Sequence, residues 1–328
     1  PVVERLRGAG LLVESDGAEV VFPAGFTNRD NEPLPLIIRK KDGGYNYATS
    51  DLACVIDRVE KIGATLLVYV VGAPQAQHLS MVQSVAASAG WLTPPARMEH
   101  VAFGSVLGSD RKMLRSRSGD AVKLVELLDE AVQRADASIQ EKNPDLDPEV
   151  RAKVARQIGI GAVKYSDLAN DRVKDYVFDW ERMLSFDGNT APYLQYAHAR
   201  ICSIFRRAGE QSGTASAASG PSAASAAALR VSVRDVTPLV AHQAERALAL
   251  ALLKFDAVVH DSLDRFSPHR LCTYLYDLAS RYTAFYEHCP VLKADGDVRM
   301  SRLALCDLTA RVLERGLGML GIGAPEQM

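Results

Sequence analysis

Apolar residues along this chain change their period once. Up to about residue 120 they alternate or form short runs, and beyond it they recur almost everywhere at the 3.6-residue spacing of helices with one buried face. The spacing predicts a short helix over 2–7 stopped at Gly8, then strands over 11–14 and 19–22 flanking Asp16-Gly17, a hairpin turn signal. A strand over 34–39 leads into residues 43–53 (GGYNYATSDLA), read as a strand running into a helix over 51–62 that ends at Gly63. Residues 65–71 (TLLVYVV) form a continuous apolar run, expected of a strand buried on both faces of a parallel sheet. A helix over 77–89 and a strand over 98–103 follow. The expectation is an α/β domain over 1–120 and an all-helical domain over 121–328.

In the second part, helices are predicted over 121–136, 148–165, 189–208, 237–258, 268–288 and 299–320, and strands are expected to stop. Residues 211–229 (QSGTASAASGPSAASAAAL) are low-complexity Ser, Ala and Gly. The stretch 210–229 is therefore expected to be a flexible linker. At 328 residues, with 48% hydrophobic and 24% charged, the composition is that of a globular protein of two domains. A formal net charge of −2 leaves any nucleic-acid surface to a local patch. Five scattered cysteines without CxxC spacing are read as reduced thiols of a cytoplasmic protein, most of them small core residues. No run is long enough to span a bilayer, and a start at Pro1 is read as a processed or truncated product.

Three stretches carry candidate chemistry. In the first, Tyr45 and Tyr47 share a face of a two-residue period, and Thr49, Ser50 or Asp51 can cap the following helix. A phenol and a carboxylate aimed at one point would hold a planar cation such as a guanidinium; a buried tyrosine beside an ordinary cap is the plainer alternative. At the carboxyl end of the apolar strand, Gly72, Gln75 and His78 fall at the expected site edge, with ordinary solvent and core roles equally open. The second stretch, residues 104–119 (GSVLGSDRKMLRSRSG), combines glycines with Arg111, Lys112, Arg115 and Arg117. A mobile basic loop suits a triphosphate, although it is also readable as a solvated loop, and it is neither a GxxxxGK[ST] nor a GxGxxG motif. In the third, Tyr193, Tyr196, His198 and Arg200 interleave rings and cations on one helix, able to stack on bases or simply to pack in a bundle.

In order along the chain, YATSDLA (47–53), VVGAPQAQH (70–78), HVAFG (100–104), RSG (117–119), GAVKYSDL (161–168), NTAPYLQYA (189–197) and VLERGLGMLGI (312–322) resemble the C-terminal part of arginyl-tRNA synthetases, a class I family. That resemblance covers nearly the whole chain. It implies a partial doubly wound, Rossmann-like nucleotide-binding domain followed by a helical-bundle anticodon-binding domain. It places Tyr47, Asp51, Gln75 and His78 at an arginine pocket, and His100, Gly104 and Lys112 at ATP. Residues 111–119 stand where the family carries its Lys-Met-Ser-Lys signature, with Leu114-Arg115 replacing Ser-Lys, so Lys112, Arg115 and Arg117 become the candidate catalytic cations. Tyr193, Tyr196, Arg200 and Met328 are expected at the anticodon loop. The implied partners are tRNA(Arg), L-arginine and ATP with Mg²⁺ as substrates, with no tightly bound cofactor, no metal site, no membrane and a monomeric state.

No His-Ile-Gly-His signature occurs here. The expectation is therefore a fragment weak or inactive alone in arginine activation, with a non-catalytic truncated paralogue that binds tRNA or arginine as the alternative. An unrelated nucleotide-using α/β enzyme with a helical appendage stands third.

Overall fold

The computed structural model describes residues 1–112, 123–211 and 223–328, so the candidate cations Arg115 and Arg117 lie outside the described residues. Two compact units divide the chain, Pro1–Ser105 and Val106–Met328.

In the first unit, helix α1 (Val2–Gly8) precedes a hairpin of β1 (Val13–Ser15) and β2 (Ala18–Val21). Asp16 and Gly17 both adopt positive φ, 50° and 74°, as a two-residue turn of matched twist requires. Strand β3 (Leu36–Arg39) pairs antiparallel with β2 and buries Leu36 and Ile38 while Ile37 and Arg39 face outward. A tight turn follows, in which Gly43 has a φ of 80° and the Lys40 N–H donates to the Gly44 carbonyl at 2.8 Å. Helix α2 (Tyr47–Ile56) continues as a π-helical turn over Asp57–Lys61 and stops before Gly63. Strand β4 (Leu66–Gly72), helix α3 (Ala76–Ser88) and strand β5 (Arg97–Phe103) complete the unit, with β4 and β5 parallel from Leu66↔Arg97 to Gly72↔Phe103. Leu6, Ile38, Leu52, Val55, Leu67, Val82 and Ala86 form its core.

Two sequence expectations need correcting here. Helix α2 already begins at Tyr47, with Asn46 at its N-cap, so Tyr45 and Tyr47 do not share a strand face and none of Thr49, Ser50 or Asp51 caps the helix. The Thr49 hydroxyl instead donates to the Ile38 carbonyl and ties α2 to β3. Strand β4 is buried on one face only: Leu67 is 3% exposed, whereas Leu66, Val68 and Val70 are 40%, 43% and 63% exposed. With β5 its only sheet partner among the described residues, β4 has a helical layer over one face and solvent on the other.

The second unit opens with β6 (Val106–Leu107), then α4 (Leu124–Lys142) and α5 (Pro148–Leu168). Helix α5 starts where the residues predict, with Pro148 in the first turn and the Asp147 carboxylate accepting from the Glu149 and Val150 N–H groups. Strands do not stop before this unit, because β7 (Tyr176–Val177) pairs parallel with β6. Two residues are too few to carry an alternating pattern. Helices α6 (Trp180–Leu184), α7 (Ala191–Gln211), α8 (Ala223–Ser232), α9 (Gln243–Leu252), α10 (Phe255–Asp264), α11 (Pro268–His288) and α12 (Gly296–Met319) follow. Their core holds Tyr165, Ile201, Phe205, Leu248, Leu275, Tyr282, Phe285 and Leu313.

Within the segment expected to be a flexible linker, residues 223–229 are helical in α8. Alanine has the highest helix propensity, and Gly209 lets the new helix approach α7 so closely that an added Cβ would stand 3.1 Å from the Ser225 hydroxyl. Residues 212–222 lie outside the described residues. The single helix expected over 237–258 is two, α9 and α10. Its start is displaced to Gln243, because His242 and Glu245 form a capping box with the Glu245 carboxylate accepting from the Ala241 and His242 N–H groups at 2.9 Å each. After α12 the tail is strapped down by side chains. Lys164 donates to the Gly321 carbonyl at 2.7 Å, Gln195 to Gly323 at 2.8 Å, His198 to Pro325 at 3.0 Å and Arg206 to Glu326 at 3.1 Å.

Candidate functional site

Asp51 sits on the second turn of α2 and His78 on the first turn of α3, and their side chains meet: His78 Nε2 lies 2.7 Å from Asp51 Oδ2. Both are about one-third exposed, and it is Asp51 Oδ2 that the imidazole engages. Gln75 caps α3 at the carboxyl end of β4 and is exposed. Tyr47, at the N-terminal end of α2, is 85% exposed. The structure thus joins Asp51 with His78 and leaves Tyr47 and Gln75 as open side chains at the ends of their helices.

Three further residues belong to this neighbourhood and escaped the motif reading. Cys54 and Arg58 follow Asp51 at helical spacings of three and seven, and Tyr69 points inward from β4 between Leu67 and Val71. The Arg58 guanidinium carbon lies 5.2 Å from the centre of the Tyr69 ring. Burial raises the Tyr69 phenol above its ordinary range, the Arg58 charge pulls it back, and Asp51 and Cys54 push it up again. The periods of helix and strand contain this signal, but only together.

His100, on β5, uses Nε2 to donate to the Val71 carbonyl of β4 at 3.1 Å, and Gly104 follows the carboxyl end of β5. Lys112 belongs to the second unit. There the Gly108 N–H donates to its carbonyl at 2.8 Å, its own N–H donates to Asp110 at 3.0 Å, and its ammonium side is exposed. Arg111 within this turn has a φ of 59°.

The candidate RNA residues fall into separate environments. Tyr193 is half-buried, its hydroxyl 3.3 Å from Thr283 and its ring 5.7 Å from Tyr276 on α11. Tyr196 is 46% exposed with its ring edge-on to Phe186. Arg200 stacks 4.1 Å over Tyr286, and Met328 packs against the buried cluster of Ala135, Ile139, Val154, Ala155 and Ile158.

An α/β unit with polar side chains at the carboxyl ends of a parallel strand pair, followed by a helical bundle, is the layout of class I aminoacyl-tRNA synthetases. Residues 1–180 match the family model of class I (R) tRNA synthetase catalytic domains, and residues 194–328 match that of the DALR anticodon binding domain. The chain therefore belongs to the arginine branch of the class I tRNA synthetases. It is 54% identical to an arginine–tRNA ligase of Thermobifida fusca and 46% identical to one of Cellvibrio japonicus, in each case over 100% of this chain and 54% of the relative. Among solved structures it resembles the arginyl-tRNA synthetase of Thermus thermophilus, with a TM-score of 0.81, 29% identity and coverage of 100% of this chain and 57% of that one. For the Plasmodium falciparum enzyme the TM-score is 0.77, with 28% identity and coverage of 100% and 52%. The chain spans about half the length of the curated relatives it matches.

Proposed function

We propose that this chain carries the arginine pocket and part of the ATP site of an arginine–tRNA ligase, whose reaction joins L-arginine and ATP into arginyl-adenylate and passes the arginyl group to tRNA(Arg). The observation that supports it most is the Asp51–His78 bond, which leaves a carboxylate oxygen open between α2 and α3. Asp51 receives the guanidinium, while Tyr47 and Gln75 bound the pocket. His78 works through Asp51, holding the carboxylate in one orientation. Adenylate formation needs no protein nucleophile. It needs alignment of carboxylate and α-phosphate, and cations opposite the charge that grows on the phosphate. Lys112, Arg115 and Arg117 supply that charge together with Mg²⁺ brought by ATP, and His100 and Gly104 flank the nucleotide. In the helical unit, Tyr196 offers an exposed ring for base stacking, and Tyr193, Arg200 and Met328 are the further candidates for the anticodon loop, each from its own surroundings.

By itself the 328-residue chain is expected to bind arginine while forming adenylate slowly or not at all. A non-catalytic arginine- or tRNA-binding role is the second reading. Arginine-dependent exchange of pyrophosphate into ATP, with and without tRNA(Arg), separates the two. Exchange that disappears in Asp51→Ala establishes the catalytic reading for the chain alone. Arginine binding without exchange establishes the second. Loss of the Asp51 contact to a guanidinium costs about 3 kcal/mol, a fall in arginine affinity of roughly a hundredfold. An Asp51→Ala chain that binds arginine normally would refute the pocket.

A further inference from the structure

Resting on the RNA reading of the helical unit, one groove within that unit has the chemistry to hold a sugar-phosphate backbone. The end of the chain lies along α5, and between the two is a groove of about 260 Å³ lined by Lys153, Arg156, Gln157 and Ile160 on one side and by Gly321 and Gly323 on the other. Positions 153, 156, 160 and 164 follow one another at spacings of three, four and four, so Lys153, Arg156 and Lys164 share a face of the helix. At about 1.5 Å per residue they spread over roughly 16 Å of its length. Their charges are uncompensated. Lys153 and Arg156 are exposed and make no ion pair among the described residues, whereas Arg151 on the same helix is held by Asp136 at 3.0 Å. The Lys164 ammonium donates to the Gly321 carbonyl at 2.7 Å, a neutral acceptor that leaves its charge in place. Among the described residues no carboxylate lines the groove. An added Cβ on Gly321 would come within 3.2 Å of the Lys164 ammonium, and one on Gly323 within 3.0 Å of the Gln157 amide, so the wall facing the cations is bare backbone. The apolar side chains are withdrawn, Ile322 at 3% exposed and Ile160 half-buried, and a protein partner would find no anchor.

We propose that this groove is a track for the phosphate backbone of a bound tRNA, with Lys153 and Arg156 each neutralising a phosphate and Lys164 extending the same line of charge. Contacts of this kind position an RNA without reading its sequence, and they act by releasing the counterions that the phosphates hold. The affinity they add is equal for every tRNA and steeply dependent on salt. A stacking ring such as Tyr196 adds affinity of another kind, which survives at high salt.

The test is a fluorescence-anisotropy titration of the 328-residue chain with transcripts of tRNA(Arg) and of a tRNA with a different anticodon, between about 50 and 200 mM salt, alongside thermal unfolding. The double variant Lys153→Gln, Arg156→Gln should melt as the wild type does, weaken both RNAs by the same factor, and make the plot of log affinity against log salt shallower by about 1.5. Lys254→Gln with Lys293→Gln removes the same charge from exposed positions elsewhere in the unit and should leave the slope unchanged. Tyr196→Ala should weaken binding at every salt concentration at an unaltered slope. If Tyr196→Ala weakens binding while the groove variant keeps the wild-type slope, the track is overturned and the RNA reading stands. If the two charge-removing pairs flatten the slope equally, overall charge is responsible and the track is again overturned. A wild type that binds neither RNA overturns both. Should the groove variant melt lower, the charge-keeping swap Lys153→Arg, Arg156→Lys decides, since a track requires it to retain the wild-type slope. Polyglutamate bound by the wild type and lost in the groove variant, with the tRNA slope unmoved, would give the groove to an acidic protein instead.

Discussion

At the scale of single residues, two buried carboxylates hold the helical unit together by different means. Asp307 on α12 is 1% exposed and meets Arg230 at 2.9 Å and Arg311 at 2.8 Å, with Arg234 at 3.8 Å. Removing it strands the Arg230 cation, whose side chain is only 19% exposed. Asp307→Ala should therefore lose about 3 kcal/mol in chemical denaturation, well beyond the effect of deleting a surface ion pair such as Lys61 with Asp57. Glu245 joins the capping box to Arg302, which donates to it at 2.8 Å. Burial opposes its charge, but the His242 N–H, the Arg302 guanidinium and the Ala241 N–H outweigh that and hold the carboxyl below its ordinary value of 4.5. Because the folded value is the lower one, this stabilisation is complete above about 4.5 and drains away as the pH falls through the depressed value. Melting temperatures measured from pH 7 down to pH 3 should show a steep acid limb that Glu245→Gln flattens, at the cost of lower stability near neutrality.

At the scale of elements, close approach decides what substitution each helix tolerates. A Cβ on Gly159 would lie 2.6 Å from the Val132 nitrogen and 2.7 Å from the Ala131 carbonyl, so α5 crosses α4 at backbone distance. Alanine normally favours a helix over glycine by about 1 kcal/mol. Here the clash is with backbone that cannot rotate aside, and Gly159→Ala should instead destabilise by roughly 2 kcal/mol, read as a lower denaturation midpoint at unchanged slope. Most elements were legible because local signals agreed with tertiary ones: Asp16-Gly17 for the hairpin, Pro148 for the start of α5, the 3.6-residue stripes of α7 and α11. The sequence reading went astray where one signal stood for two situations. A continuous apolar run such as 65–71 denotes a strand within a sheet, but says nothing of whether both faces are covered, and an Ala/Ser tract reads as a linker until a neighbour such as Gly209 offers it a groove. Asp51, Gln75 and His78 stood out as a motif. Tyr69 did not, because an inward tyrosine in a strand reads as core.

At the scale of the whole molecule, each unit carries its own core, and in the first unit apolar side chains are exposed along β4. Leu66, Val68 and Val70 line the open side of β4, and Phe103 on β5 is 46% exposed. An exposed apolar row of this kind recruits hydrophobic dyes and other chains. The chain should enhance anilinonaphthalene sulfonate fluorescence while folded, and a Val68→Thr, Val70→Thr double variant should lower that signal with little change in melting temperature. Unaltered dye binding would place the sticky surface elsewhere. The cysteines have a consequence of another kind. Burial pushes the Cys202 thiol up to about 11 and those of Cys272 and Cys306 to about 12, and raises Cys289 as well. Cys54 is the one partly exposed thiol, three residues along the helix from Asp51. A maleimide fluorophore would thus attach at a single native position beside the pocket, making the unmodified sequence its own reporter of what enters there.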